Sequence, residues 1–120
     1  MTPLDSPVLL GVSLKMYFDA ERTDEWCLAV AEIARRHDAL LSGQTSLFVL
    51  PSLLSLASAI EIFADTNVAV GAQNLFWEDR GAYTGETSGA DLRDLGCRLV
   101  EIGHAERRAL LGEDDATVNR

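Results

Sequence analysis

The sequence predicts an α/β chain in which parallel strands are covered by helices, laid out as roughly four βα units of a barrel-type sheet. Three observations predict it. Short, near-continuously apolar runs recur along the chain, each followed by residues with helical spacing, which is the pattern of strands buried on both faces. Residues able to do chemistry collect just past the ends of those runs: Lys15 after the first, Gln73 and Asn74 after the third, His104 after the fourth. A (β/α) barrel places its working groups at that C-terminal rim. The glycine signatures of competing α/β folds are missing, with no Gly-x-Gly-x-x-Gly after the first strand and no Walker-type loop.

Taken in order, Val8–Val12 is a strand ending near Gly11, and Ser13-Leu14-Lys15-Met16 reads as a loop. Asp24 can cap a helix that runs through Arg36, with Trp26, Ala29, Val30 and Ile33 on one face. His37 follows Arg35 and Arg36 at that helix's end, where a cation suits the dipole, and reads as structural. Ser46–Leu50 is the second strand, stopped by Pro51. Ser52 then caps a helix whose Leu53, Leu56, Ala57, Ile60 and Phe63 keep helical spacing. Val68–Ala72 is the third strand, and Gln73–Gly85 is a long polar loop rich in aromatics and glycine. Trp77 packs that loop, since a stacking platform would need basic neighbours that it lacks in sequence. Ser88 begins a short helix with Leu92 and Leu95, Leu99–Ile102 is the fourth strand, and Asp114 and Asp115 cap a last helix.

The bulk numbers bound the function. A net charge of −9 argues against a nucleic-acid binder, whose surface is normally a basic cluster. The most apolar window, Leu47–Ala64, contains Pro51, Ser52, Ser55, Ser58 and Glu61 and divides into strand and helix, so no membrane span is expected. No charged segment followed by an apolar one opens the chain as a secretory signal would. Cys27 and Cys97 lack metal-ligand spacing and read as buried thiols of a reducing, cytoplasmic protein. No metal site or cofactor is expected.

Leu99 to Arg108 is the most informative stretch, a buried-type strand that ends in Gly103, delivers His104 and continues into charged residues able to start a helical turn. Backbone N–H groups and the positive dipole end of that turn would face the site. An imidazole held there is biased toward its neutral form and can donate to a developing oxyanion. Lys15 is the single lysine among ten basic residues. An isolated ammonium at the rim of an acidic protein would attract an anionic ligand. From these residues alone, a histidine that only caps its strand and a lysine that only solubilises remain open readings.

Gly71-Ala72-Gln73-Asn74, Trp77-Glu78-Asp79, Gly81-Ala82-Tyr83-Thr84-Gly85-Glu86, Asp94-Leu95-Gly96 and Ile102-Gly103-His104-Ala105-Glu106-Arg107-Arg108 resemble the N-terminal half of the triosephosphate isomerase family. Leu14-Lys15-Met16 is similar to the family's first-strand motif, and Gly112-Glu113 falls where the family carries a matching pair. The resemblance implies a TIM (β/α)8-barrel type of fold, with residues 1–120 as one partial domain of that barrel. It implies an aldose–ketose isomerase, interconverting glyceraldehyde 3-phosphate and dihydroxyacetone phosphate by proton transfer through an enediolate, without a cofactor. His104 would be the neutral electrophile, a role already known as this family's own pattern. Lys15 would contact the phosphate and steady enediolate charge, and Ser13 would touch the substrate. Glu106 would fix the ammonium of Lys15, while Gln73 and Asn74 would support the rim. Tyr83, Thr84 and Gly85 would lie on the loop that reaches into a neighbouring subunit, so a homodimer is implied.

Three departures stand beside the resemblance. The family's asparagine two residues before the lysine is here Ser13, and the serine after the histidine is here Ala105. A hydroxyl is shorter than an amide and has fewer donors, so a related substrate such as a tetrulose phosphate is an alternative. The family's catalytic glutamate follows its sixth strand, and no carboxylate of this chain matches that motif. The chain is therefore expected to be a partial barrel, inactive by itself, with exposed sheet edges and an uncovered apolar interior. A non-catalytic half-barrel module is the remaining alternative.

Overall fold

The computed structural model describes residues 4–120. Its sheet is parallel, in the order β1 (Val8–Ser13), β2 (Thr45–Leu50), β3 (Ala69–Val70). Val8 pairs with Thr45 and Ser13 with Leu50, and Val49 pairs in turn with Val70. Because side chains alternate along a strand, this register sorts the sheet into two faces. Val12, Leu47, Val49 and Val70 join the main core, against Cys27, Ala31, Leu56, Ala59 and Phe63 of the covering helices. Leu9, Gly11 and Ser13 share the opposite face with Ser46, Phe48 and Leu50.

That second face is only partly filled. The ring of Phe48 lies across Gly11, where an added Cβ would come within 2.1 Å of it. Val8, Leu9 and Leu10 are each more than half exposed, at 51%, 53% and 56%. An apolar strand open on both faces is the expected signature of a barrel sheet lacking a neighbour beside β1. No helix is long and apolar enough to cross a membrane among the described residues. Cys27 and Cys97 are free and buried, and burial pushes the Cys27 thiol up to about 11.

Several helices begin elsewhere than expected. Helix α1 spans Ala20–Ala34, and its cap is Asp19, whose carboxylate accepts from the Arg22 amide at 2.8 Å. Asp24 instead accepts from Ser58 Oγ at 2.7 Å, tying α1 to the next long helix. The buried face is Thr23, Cys27, Ala31 and Ala34, with Trp26 and Val30 beside it, whereas Ile33 is 58% exposed. Small residues at the centre of the contact let the two helices approach closely. The helix ends at Ala34, so His37 is not at its C-terminus but precedes a further turn, α2 (Asp38–Leu41), with no side-chain cap.

Ser52 makes no capping bond either. A 3-10 turn, Leu53–Ser55, intervenes before α3 (Leu56–Phe63). Arg35 and Asp65 close the far ends of α1 and α3 with two hydrogen bonds of 3.0 and 2.9 Å. Helix α4 (Gly89–Leu95) begins as expected, with Ser88 Oγ accepting from the amides of Ala90 and Asp91, and stops at Gly96, φ 115°. Two short helices follow, α5 (Ala105–Leu111) and α6 (Asp115–Val118), the latter capped by Asp114.

The expected third and fourth strands are shorter than their apolar runs. Beyond Val70 the pairing continues as one bridge, Ala72 with Val100, rather than as a full strand over Leu99–Ile102. Three backbone bonds still align that segment with β3: Arg98 N to Val70 O, Ala72 N to Leu99 O, and Glu101 N to Ala72 O. It is bonded on that one side among the described residues, and Gly103 at φ 66° turns it away. In the loop, Phe76 stacks with Trp77 and Tyr83 at ring distances of 4.0 and 4.6 Å. Trp77 does have a basic neighbour, since the Arg120 guanidinium sits 4.8 Å over its ring. Sequence distance concealed that contact.

Gly71 marks a junction where backbone itself closes on the glycine. A Cβ there would lie 2.5 Å from the backbone oxygen of Leu99 and 2.8 Å from Leu50 Cδ2. Backbone cannot yield as a flexible side chain does, so Gly71→Ala should destabilise the fold by about 1–3 kcal/mol. Urea unfolding followed by circular dichroism measures this, and an unchanged midpoint would show that the fourth segment does not press on β3.

Candidate active site

Where β1 ends, Leu14 N still donates to Leu50 O at 2.9 Å, and the chain then turns through Lys15 at φ 52°. Lys15 is the one non-glycine residue with positive φ among the described residues. Such a conformation costs energy and persists only where its surroundings enforce it. Gln73 does so here: its Nε2 donates to Lys15 O at 3.0 Å and to Leu50 O at 2.8 Å. One amide thus joins the C-terminal ends of β1 and β2 to the segment after β3.

The turn carries the Lys15 ammonium to Glu106 on α5, with which it forms a hydrogen-bonded ion pair. This contact raises the Lys15 pKa and lowers that of Glu106, the shared hydrogen bond being the largest cause for both. Glu106 also acts through its backbone. Its N–H donates to His104 Nδ1 at 3.0 Å, which makes His104 the cap of α5. A ring nitrogen that accepts an amide proton carries none of its own, so in the neutral ring the proton is on Nε2. Nε2 faces the carboxylate of Glu101, 3.7 Å from its Oε1.

These groups line one cavity of about 260 Å³, bounded by Ser13, Lys15, Gln73, Asn74, Glu101, His104, Glu106 and Arg107. That is just below the usual range for small-molecule sites. The structure therefore gathers Ser13, Lys15, Gln73, Asn74, His104 and Glu106, all named from the sequence. It leaves Tyr83, Thr84 and Gly85 outside this cavity, on an exposed loop. Gly85 instead borders a neighbouring hollow that Gln73 and Asn74 share.

Two charged residues of the cavity were given no role in the reading of the sequence. Arg107 is held by Glu113 at 2.7 Å. Glu101 accepts from Ser13 Oγ at 3.1 Å. A signal for Glu101 was present, because a carboxylate inside the apolar run Leu99-Val100-Glu101-Ile102 needs a polar partner to be tolerated there.

A parallel sheet with an ammonium, a helix-capping imidazole and an open hollow past its strand ends matches the C-terminal rim at which (β/α) barrels carry their functional groups. Residues 8–120 match the triosephosphate isomerase family, and the chain belongs to it. It is 53% identical over 106 residues to an L-erythrulose-1-phosphate isomerase of Pectobacterium atrosepticum, covering 88% of this chain and 41% of that protein. It is also 53% identical over 79 residues to a triosephosphate isomerase of Moorella thermoacetica, covering 66% of this chain and 32% of that protein. A triosephosphate isomerase of Synechococcus matches at 39% over 114 residues, or 95% of this chain and 46% of the relative. The chain spans less than half the length of these relatives.

The shared bond between Lys15 and Glu106 sets a two-sided pH window. Glu106 is lowered, so its stabilisation is present above the ordinary glutamate range and is lost as pH falls through the lowered value. Lys15 is raised, so its stabilisation holds below the ordinary lysine value and is lost as pH rises through the raised one. In Glu106→Gln, an NMR titration of the Lys15 side chain should show its pKa fall. An unmoved titration would mean that the pair does not form in solution.

Proposed function

We propose that this chain supplies the electrophile and the cation of a cofactor-independent sugar-phosphate isomerase, acting between glyceraldehyde 3-phosphate and dihydroxyacetone phosphate or on a close relative. The observation that carries this reading is the convergence of Lys15 and His104 on one small cavity, both held by Glu106. Moving a proton between carbons beside a carbonyl builds negative charge on oxygen, and a preorganised donor lowers that barrier. The Nε2 proton of His104 is such a donor. The Lys15 ammonium, held at the rim by Glu106, attracts the phosphate and offsets enediolate charge.

The remaining chemical role is the base. The resemblance places it after the family's sixth strand, outside residues 4–120, so no carboxylate of this chain is assigned to it. A reading with a four-carbon ketose phosphate as substrate is favoured by Ser13 and Ala105 and by the relative named for L-erythrulose 1-phosphate. For the assembly we propose a cytoplasmic homodimer, with the exposed loop at Tyr83, Thr84 and Gly85 reaching the partner's site.

The test is steady-state kinetics of the full-length protein on triose and tetrulose phosphates. His104→Gln should lower kcat by about 10²–10³, the usual effect of losing one oxyanion donor. Lys15→Met should lower kcat/KM by about 10²-fold or more, chiefly through loss of a charged contact. Full activity in both variants, or no turnover of any sugar phosphate by the unaltered protein, would reject the proposal.

A further inference from the structure

We infer that Glu101, positioned by Ser13, is the specificity-determining residue of this site and recognises a hydroxyl on the substrate carbon farthest from the phosphate. The inference rests on the isomerase reading and names its substrate class as a four-carbon ketose phosphate.

The geometry points there in steps. Ser13 Oγ spends its proton on Glu101 Oε2 at 3.1 Å. Glu101 Oε1 is left towards the cavity, 3.7 Å from His104 Nε2 and beyond hydrogen-bond length. Glu101 has no lysine or arginine ion-pair partner among the described residues, since Lys15 is taken by Glu106 and Arg107 by Glu113. Its side chain is 24% exposed, which leaves lone pairs accessible to a ligand.

An ionised carboxylate only accepts hydrogen bonds. It repels a phosphate, so the phosphate must lie toward Lys15 and the polyol end toward Glu101. A carbonyl oxygen held by the Nε2 proton of His104 then brings the neighbouring hydroxyl-bearing carbons up to Oε1. A triose phosphate has one carbon on that side of its carbonyl. A four-carbon ketose 1-phosphate has two, and the terminal hydroxyl is the donor that the carboxylate lacks. Ser13 contributes by being short: it holds Glu101 from the edge of the cavity without filling the space in front of it. Sites built to pair with a substrate hydroxyl discriminate strongly against analogues lacking it, because the site's own polar group is then left unpaired.

The experiment compares L-erythrulose 1-phosphate, its 4-deoxy analogue and dihydroxyacetone phosphate as substrates of the full-length protein. Unaltered protein should prefer the hydroxylated four-carbon substrate over the deoxy analogue by about 100-fold in kcat/KM, the effect of one charge-assisted hydrogen bond. Glu101→Gln, which keeps shape but removes charge, should cut that preference to less than about 10-fold, and Glu101→Asp should restore part of it. A preference that survives in Glu101→Gln, or its absence in unaltered protein, overturns the inference. Turnover of dihydroxyacetone phosphate without turnover of L-erythrulose 1-phosphate also overturns it, while leaving the isomerase reading intact. No turnover of either ketose phosphate removes the isomerase reading itself.

Discussion

Glu106 holds the site together through two bonds made by one residue: its side chain grips the Lys15 ammonium and its amide is accepted by His104 Nδ1. The first bond links the end of β1 to α5 across 91 residues of sequence. The second decides which imidazole nitrogen is free to act. The left-handed turn at Lys15, secured by Gln73, is the backbone side of the same constraint.

The sheet explains why so much of the site is built from strand ends and so little from the strands themselves. Helices α1 and α3 bury one face, through Cys27, Ala31, Leu56, Ala59 and Phe63. The opposite face holds Phe48 over Gly11 and leaves Leu9 open to water. Exposed apolar edges of this kind favour pairing with further strands. Four βα units thus suffice to place the rim groups, while the apolar interior stays open. Charge is divided between surface and site: pairs such as Arg35 with Asp65 lie at the surface, whereas the single lysine lines the cavity with Glu101 and Glu106.

Glu101 shows how a site differs from a motif. The histidine and the lysine were legible because each sits at a strand or helix boundary, where sequence punctuation is strong, and Glu106 through the family resemblance. Glu101 lies inside an apolar run, so periodicity assigned it to a strand and gave it no partner. Its partner, Ser13, is 88 residues away. The helix starts followed the same logic. Ser88 and Asp114 were found because one polar residue precedes a clear helical pattern, whereas Asp19 and Asp24 compete for the start of α1 and only geometry chooses Asp19.

By itself the sequence determined the alternation of apolar strands and amphipathic helices, the parallel sheet, and the membership of Lys15, Gln73, Asn74 and His104 in one rim. These follow from local periodicity and from groups that must lie just past strand ends. Tertiary structure alone decided that Ser13 holds Glu101, that Arg120 covers Trp77, and that the fourth segment pairs by a single bridge. Each of those depends on residues distant in the chain meeting at a particular distance, and no local pattern encodes a meeting between remote side chains.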